Sequence, residues 1–104
     1  IEQKFIDRIA EETGARPEQV AAAIQLFDAD ATIPFVARYR KDQTDNLPEF
    51  VIEKIQERNK YFKELSSSRT DILNNIEKQG LLTDALRTNI EAVFDNTTLQ
   101  DLYL

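Results

Sequence analysis

The strongest constraint on the fold is a regular pattern of positions in the segment between Pro48 and Gly80. The positions are spaced by alternating steps of four and three residues, the heptad spacing of one helix face. The pattern, which we call the seam, consists of Val51, Ile55, Arg58, Phe62, Leu65, Arg69, Ile72 and Ile76. It predicts one long helix over residues 48–79, about 45 Å in length from the rise per residue of an α-helix.

A helix of this length exceeds the diameter of a compact domain of 104 residues. We therefore expect part of the helix to project and its seam to need a partner surface. Three consecutive serines at residues 66–68 oppose a continuous helix, because serine competes for backbone hydrogen bonds. The seam keeps its phase across the serines, which favours continuity over a break.

Shorter helical patterns precede the long helix. Residues 2–13 and 17–28 predict two helices joined by a tight turn at Gly14, either a helix-turn-helix or a simple αα-hairpin. Residues 33–40 predict a short helix, and a polar loop is expected over residues 42–46. The short helix is expected to be capped by Thr32 and to have an inner face of Phe35, Val36 and Tyr39.

Two helical patterns follow the long helix. A closing helix is predicted over residues 84–94 with Thr83 as its N-cap, and a last helical segment begins at Thr97 or Thr98. The whole chain has only two glycines and three prolines, which favours helices over a turn-rich β architecture. The sequence thus predicts a single all-α domain over residues 1–104.

The composition narrows the function. Without cysteine or histidine the chain has no thiolate or imidazole nucleophile and no His or Cys metal site. Carboxylate pairs such as Glu11 and Glu12 are common on exposed helices, so we predict a non-enzymatic chain without a cofactor. No apolar run approaches the roughly 20 residues of a membrane span. The lack of cysteine makes the cytoplasm the default compartment.

The ends of the sequence carry their own expectation. The chain has no methionine and begins with Ile1, and it ends with the apolar residues 102–104. These features predict that the chain was cut from a larger protein.

A basic cluster at Arg38, Arg40 and Lys41 is the best candidate for contact with nucleic acid. The functional interpretation is phosphate contact without base readout, and Lys54, Arg58, Lys60 and Lys63 are further cations that would extend it. The alternative is that these cations complement the end of a helix and pair with carboxylates such as Asp42. The net charge of −6 argues against strong autonomous binding. The cluster also lacks aromatic side chains for base stacking, unless Tyr39 or Tyr61 is exposed.

The two arginines of the seam have two interpretations. Arg58 and Arg69 either extend past the core with their aliphatic stems buried, or meet carboxylates of another domain. The second predicted helix has no cation after Arg16, whereas a helix that reads DNA normally places cations near phosphates. Packing against protein is therefore favoured over sequence-specific DNA binding for the helices of residues 2–28.

The string ATIPFVARYRK at residues 31–41 resembles the Tex family of transcription accessory proteins. Further matching strings are IAE at residues 9–11, RPEQV at 16–20, LFD at 26–28, QGLLT at 79–83 and LQDLYL at 99–104. The resemblance covers nearly the whole chain. The sequence departs from the family at Asp45 and Asn46, where relatives usually have two glycines.

The resemblance implies a large cytoplasmic protein linked to transcription and RNA, with an RNase H-like module, helix-hairpin-helix segments and an S1 RNA-binding domain. None of those modules is expected in these residues. The predicted function is a non-catalytic scaffold whose long helix docks on the remaining domains of the parent protein. The alternative is an accessory surface for RNA or DNA phosphates centred on Arg38, Arg40 and Lys41.

Overall fold

The computed structural model describes residues 1–103, in which it contains helices and no strands. The helices are α1 (Gln3–Thr13), α2 (Pro17–Asp28), α3 (Ile33–Tyr39), α4 (Lys41–Thr44), α5 (Glu49–Lys78), α6 (Asp84–Glu91) and α7 (Asn96–Tyr103). The predicted all-α class is confirmed. No helix within the described range is long and apolar enough to cross a membrane. The chain divides into two compact units, Ile1–Lys60 and the residues from Tyr61 onward, and α5 contributes to both.

In the first unit, α1 and α2 form the predicted hairpin. Gly14 ends α1 with a φ of 77°, and its amide N–H donates to the carbonyl oxygen of Ala10 at 2.9 Å. This left-handed geometry favours glycine, as the sequence predicted. The two helices bury apolar side chains at helical spacing, namely Phe5, Ile6, Ile9, Ala10, Val20, Ala23, Ile24 and Phe27.

The segment after α3 differs from the predicted loop over residues 42–46. Lys41–Thr44 form the short helix α4, in which the amides of Gln43 and Thr44 both donate to the carbonyl oxygen of Arg40. Thr44 is fully buried, so packing stabilises a helical turn that the polar sequence alone does not indicate. Asp45 and Asn46 follow with φ values of 53° and 61°. Asp and Asn tolerate this left-handed region better than other residues with a side chain.

Helix α5 is continuous through the serines at residues 66–68, as the phase of the seam predicted. The six apolar seam residues are at most 9% exposed, and Ile52 and Asn59 are also buried beside them. The expectation that the seam needs a partner surface was therefore wrong, because the described residues already bury its apolar side chains.

The second unit closes with α6 and α7. Thr83 caps α6 as predicted, since its hydroxyl oxygen accepts the amide N–H of Leu86 at 3.1 Å. Helix α6 ends at Glu91 and not at residue 94. The chain then turns so that the amide of Asn96 donates to the phenol oxygen of Tyr61 at 3.1 Å.

Helix α7 begins at Asn96, slightly before the predicted start at Thr97 or Thr98. Asp95 precedes the helix, and its carboxylate accepts the amide N–H of Thr98 at 2.7 Å and the hydroxyl of Thr98 at 3.0 Å. These hydrogen bonds lower the pKa of Asp95, because they stabilise the charged form. The apolar end predicted at residues 102–104 includes Leu104, which lies outside the described residues.

Candidate functional site

Helix α3 presents the residues that the sequence singled out for nucleic-acid contact. Its start is fixed by Thr32, whose hydroxyl oxygen accepts the amide N–H of Phe35 at 3.2 Å, and by Pro34 in the first turn. Val36 is fully buried, whereas Arg38 and Lys41 are exposed and Arg40 is half-buried. The three cations therefore lie on or next to one short helix, as the sequence predicted.

The inner face predicted for α3 was wrong at two of its three positions. Phe35 is 37% exposed and Tyr39 is 65% exposed, and only Val36 is buried. A helix of seven residues makes only two turns, so one side chain is enough to attach it to the neighbouring elements. The two aromatic rings are thereby left accessible, which meets the condition for base stacking that the sequence left open.

The exposed aromatic and basic side chains form one arrangement, which we call the α3 surface: Phe35, Arg38, Tyr39, Arg40 and Lys41. Phe35 and Tyr39 are four residues apart on one helix side, and their ring centroids lie 5.6 Å apart with the planes tilted by 46°. The Arg40 guanidinium carbon lies 4.5 Å from the centroid of the Phe35 ring. One Arg40 nitrogen also donates to the carbonyl oxygen of Tyr39 at 2.8 Å. Arg40 therefore supports the aromatic pair, and Arg38 and Lys41 are the outward cations.

Two clefts flank the α3 surface. One, of about 460 Å³, is lined by Leu26, Ala29, Asp30, Ala31, Thr32, Phe35 and Arg40. The other, of about 400 Å³, is lined by Ala37, Arg38, Lys41, Asn46, Leu47, Pro48 and Glu49. Helix α3 thus contributes Phe35 to the first cleft and Ala37 and Arg38 to the second.

Contacts from α2 hold the turn that follows α4. The side-chain amide of Gln19 donates to the carbonyl oxygen of Thr44 at 3.0 Å, and the Arg16 guanidinium forms an ion pair with Asp45. Gln19 is therefore bonded to backbone atoms of the same unit. These contacts hold the C-terminal end of α4, the helix that directly follows α3 in the chain.

The two seam arginines bind partners within the chain. Arg58 meets Glu12 in a two-pronged ion pair, with Nε 2.7 Å from Oε1 and a terminal nitrogen 3.2 Å from Oε2. Their side chains are only 21% and 29% exposed. In the second unit, a terminal nitrogen of Arg69 donates to the carbonyl oxygen of Glu91 at 3.2 Å. Each arginine thus has a contact within its own unit. The sequence had suggested two other roles, burial of the aliphatic stem and pairing with carboxylates of another domain.

One further exposed aromatic residue, Phe50 in the first turn of α5, was not singled out from the sequence. It is 74% exposed, more than any other large hydrophobic residue in the described part of the chain. A cleft of about 150 Å³ lies beside it and is lined by Glu12, Thr13, Phe50, Val51 and Lys54. We call these five residues the Phe50 surface. Phe50 precedes the first seam residue by one position, so it lies outside the seam.

Among residues 1–103 no group of three or more metal-binding side chains converges. The chemistry available at these surfaces is ion pairing, ring stacking and apolar contact. Both surfaces are therefore suited to binding.

Comparison with known proteins identifies the family. The family described as Tex-like protein N-terminal domain matches residues 3–77. The chain belongs to this family. The match includes α1 to α4, nearly all of α5, and both the α3 surface and the Phe50 surface. The resemblance inferred from residues 31–41 is thereby confirmed.

Named relatives support the assignment. The chain is 46% identical to Protein YhgF of Escherichia coli over 96% of its residues. It is 44% identical to the Transcriptional accessory protein Tex of Neisseria gonorrhoeae over 92% of its residues. It is also 28% identical to the human S1 RNA-binding domain-containing protein 1 over 94% of its residues. The chain spans 13% of the length of the two bacterial relatives and 10% of the human one.

Proposed function

We propose that this chain is a non-catalytic interaction domain of a cytoplasmic, Tex-like transcription accessory protein. It docks on another domain of its parent protein through the Phe50 surface. The single observation that carries the proposal is the 74% exposure of Phe50 next to a cleft. Covering such a ring removes a large apolar area from water and stabilises a contact by about 2 kcal/mol.

The surroundings of Phe50 have the composition of a protein interface. An aromatic residue is central, and charged residues surround it: Glu12 and Lys54 line the cleft, and Glu57 is 3.4 Å from the Lys54 ammonium. Interfaces commonly combine an aromatic anchor with a polar rim that stays near water. The Lys54–Glu57 pair is well exposed, so it can exchange partners on docking at little cost.

We propose that another domain of the parent protein covers the Phe50 surface. The bacterial relatives are far longer than this chain, which spans 13% of their length, so other domains of one polypeptide are available as neighbours. Docking within one polypeptide also has a high effective concentration, so one modest apolar contact suffices to hold the domain. The sequence-based hypothesis also had α5 dock on the remaining domains of the parent protein. The present proposal differs only in the part of α5 that docks, which is Phe50 and not the seam.

The proposal is tested by replacing Phe50 with serine in two proteins, the chain alone and the full-length parent. In the chain alone we expect the melting temperature to change by less than about 2 °C, since an exposed ring contributes little to its own fold. In the parent we expect this domain to lose about 2 kcal/mol of stability, seen as earlier release by limited proteolysis.

Leu81→Ser provides the matched control, because Leu81 is another large exposed hydrophobic residue at 64% exposure. We expect it to leave both proteins unchanged. Equal behaviour of the Phe50→Ser parent and the unaltered parent would contradict the proposal. A change from dimer to monomer in the chain alone would instead assign the Phe50 surface to self-association.

A further inference from the structure

We propose that the α3 surface binds single-stranded nucleic acid by stacking an unpaired base on Tyr39 while Arg38 and Lys41 contact the adjoining phosphates. This goes beyond the docking function, because it concerns a different surface and a different partner.

Charge on the α3 surface is locally positive although the chain is acidic. Residues 31–41 contain three cations and no carboxylate, with Asp30 and Asp42 directly flanking them, whereas the net charge of the chain is −6. Arg38 and Lys41 are exposed and line one cleft together, with Glu49 as its only carboxylate. The screening length at physiological salt is roughly 8 Å, so contact phosphates respond to these nearby cations far more than to distant carboxylates. Local charge complementarity therefore favours a polyanion at the α3 surface.

Tyr39 adds an aromatic ring on which a base can stack, which a site for phosphates alone would lack. Its ring is 65% exposed, and Phe35 lies 5.6 Å away with the Arg40 guanidinium over its ring. This cluster holds Tyr39 on one side and leaves the rest of the ring open. Exposed aromatic rings next to cations are the usual means by which proteins bind single strands, because every unpaired base has a face that can stack.

The same arrangement disfavours a duplex. Paired bases are stacked on their neighbours and cannot reach a side chain that lies outside the helix. A duplex would therefore meet only the charges of Arg38 and Lys41, without the contribution of Tyr39. The geometry accordingly predicts a preference for single strands.

The test uses fluorescence anisotropy with the 104-residue chain and labelled oligothymidine of about a dozen nucleotides. A labelled duplex of the same length is the comparison. We expect measurable binding to the single strand at low salt and at least fivefold weaker binding to the duplex. Two phosphate contacts predict that log K falls with log salt with a slope of about −1.4.

Variants separate stacking from charge. Tyr39→Ala should weaken oligothymidine binding about tenfold, and Tyr39→Phe should retain it, because the ring stacks without its hydroxyl. The double reversal Arg38→Glu and Lys41→Glu should abolish binding. The double reversal Lys78→Glu and Arg87→Glu changes the net charge equally at exposed positions of α5 and α6 and should weaken binding much less.

A structural readout accompanies these measurements. We expect oligothymidine to shift the amide NMR signals of residues 33–41 more than those of other residues. Absence of binding at low salt, equal affinity for duplex and single strand, or an unchanged affinity of Tyr39→Ala would each overturn the inference. Destabilisation of the parent protein by Tyr39→Ala, without oligonucleotide binding by the chain, would show that the α3 surface contacts protein. The docking proposal stands or fails separately, because it depends on Phe50.

Discussion

Replacing Phe62 with alanine is expected to destabilise the second unit by about 3–5 kcal/mol. Phe62 is fully buried, and its ring meets Phe94 edge-on with centroids 6.5 Å apart and Tyr61 at 5.5 Å. The substitution removes the transfer free energy of the ring and the edge contacts, and it leaves a cavity. A marginally stable unit loses most of its stability in this way.

The measurement is urea unfolding followed by the amide NMR signals of residues 61–103. Phe50→Ala is the matched control, since it removes the same ring from an exposed position of the same helix, and it should change stability by less than about 0.5 kcal/mol. If Phe62→Ala unfolds at the same urea concentration as the unaltered chain, the burial of the seam described above is incorrect.

The second large effect is expected at Arg58, whose reversal to glutamate should destabilise the first unit by about 2 kcal/mol. The guanidinium binds both carboxylate oxygens of Glu12, and the two side chains are only 21% and 29% exposed. Arg58→Glu would leave two carboxylates facing each other at a partly exposed site. Partial exposure keeps the expected cost below that of a fully buried pair.

A charge swap tests this ion pair. We expect Glu12→Arg combined with Arg58→Glu to recover at least half of the stability lost in the single variant. Arg87→Glu serves as the control: Arg87 pairs with Glu91 at 3.9 Å between well-exposed side chains, so its reversal should cost less than about 0.5 kcal/mol. Equal effects at Arg58 and Arg87 would show that Glu12 does not hold Arg58 in solution, and would favour pairing with another domain.

Local chemistry explains the features that the sequence predicted well. Gly14, Thr32 and Thr83 mark helix ends because a left-handed residue or a hydroxyl acceptor satisfies backbone groups that a helix leaves unpaired. The seam predicted α5 almost to the residue, since Pro48 and Gly80 bound a pattern of more than three heptads. Each of these signals lies within a few residues of the feature it determines.

The sequence-based predictions were wrong where residues far away in the chain determine whether a side chain is buried. A pattern of apolar residues in α3 predicts a face but cannot distinguish a ring that packs from a ring that stays accessible, so Phe35 and Tyr39 were assigned to the core. Helix α4 depends on the burial of Thr44, and the polar residues around Thr44 in the sequence do not indicate that burial. The seam was expected to be open because the sequence does not show which helices cover it.

The candidate site was predictable only in part, because its residues are visible in the sequence and their contacts are not. The cluster of Arg38, Arg40 and Lys41 is visible in the sequence, but the division of roles within it is not. Arg40 lies over Phe35 and binds the carbonyl oxygen of Tyr39, whereas Arg38 and Lys41 remain exposed. Phe50 was missed because one exposed aromatic residue has no pattern in sequence, and only its exposure of 74% distinguishes it.

The central claim, docking through the Phe50 surface, is tested most directly by hydroxyl-radical labelling with mass spectrometry. The labelling of Phe50 is compared between the chain alone and the full-length parent protein, with Leu81 as the internal reference. We predict strong labelling of Phe50 in the chain alone and at least fivefold protection in the parent, while Leu81 is labelled equally in both. Equal labelling of Phe50 in the two proteins would contradict the claim.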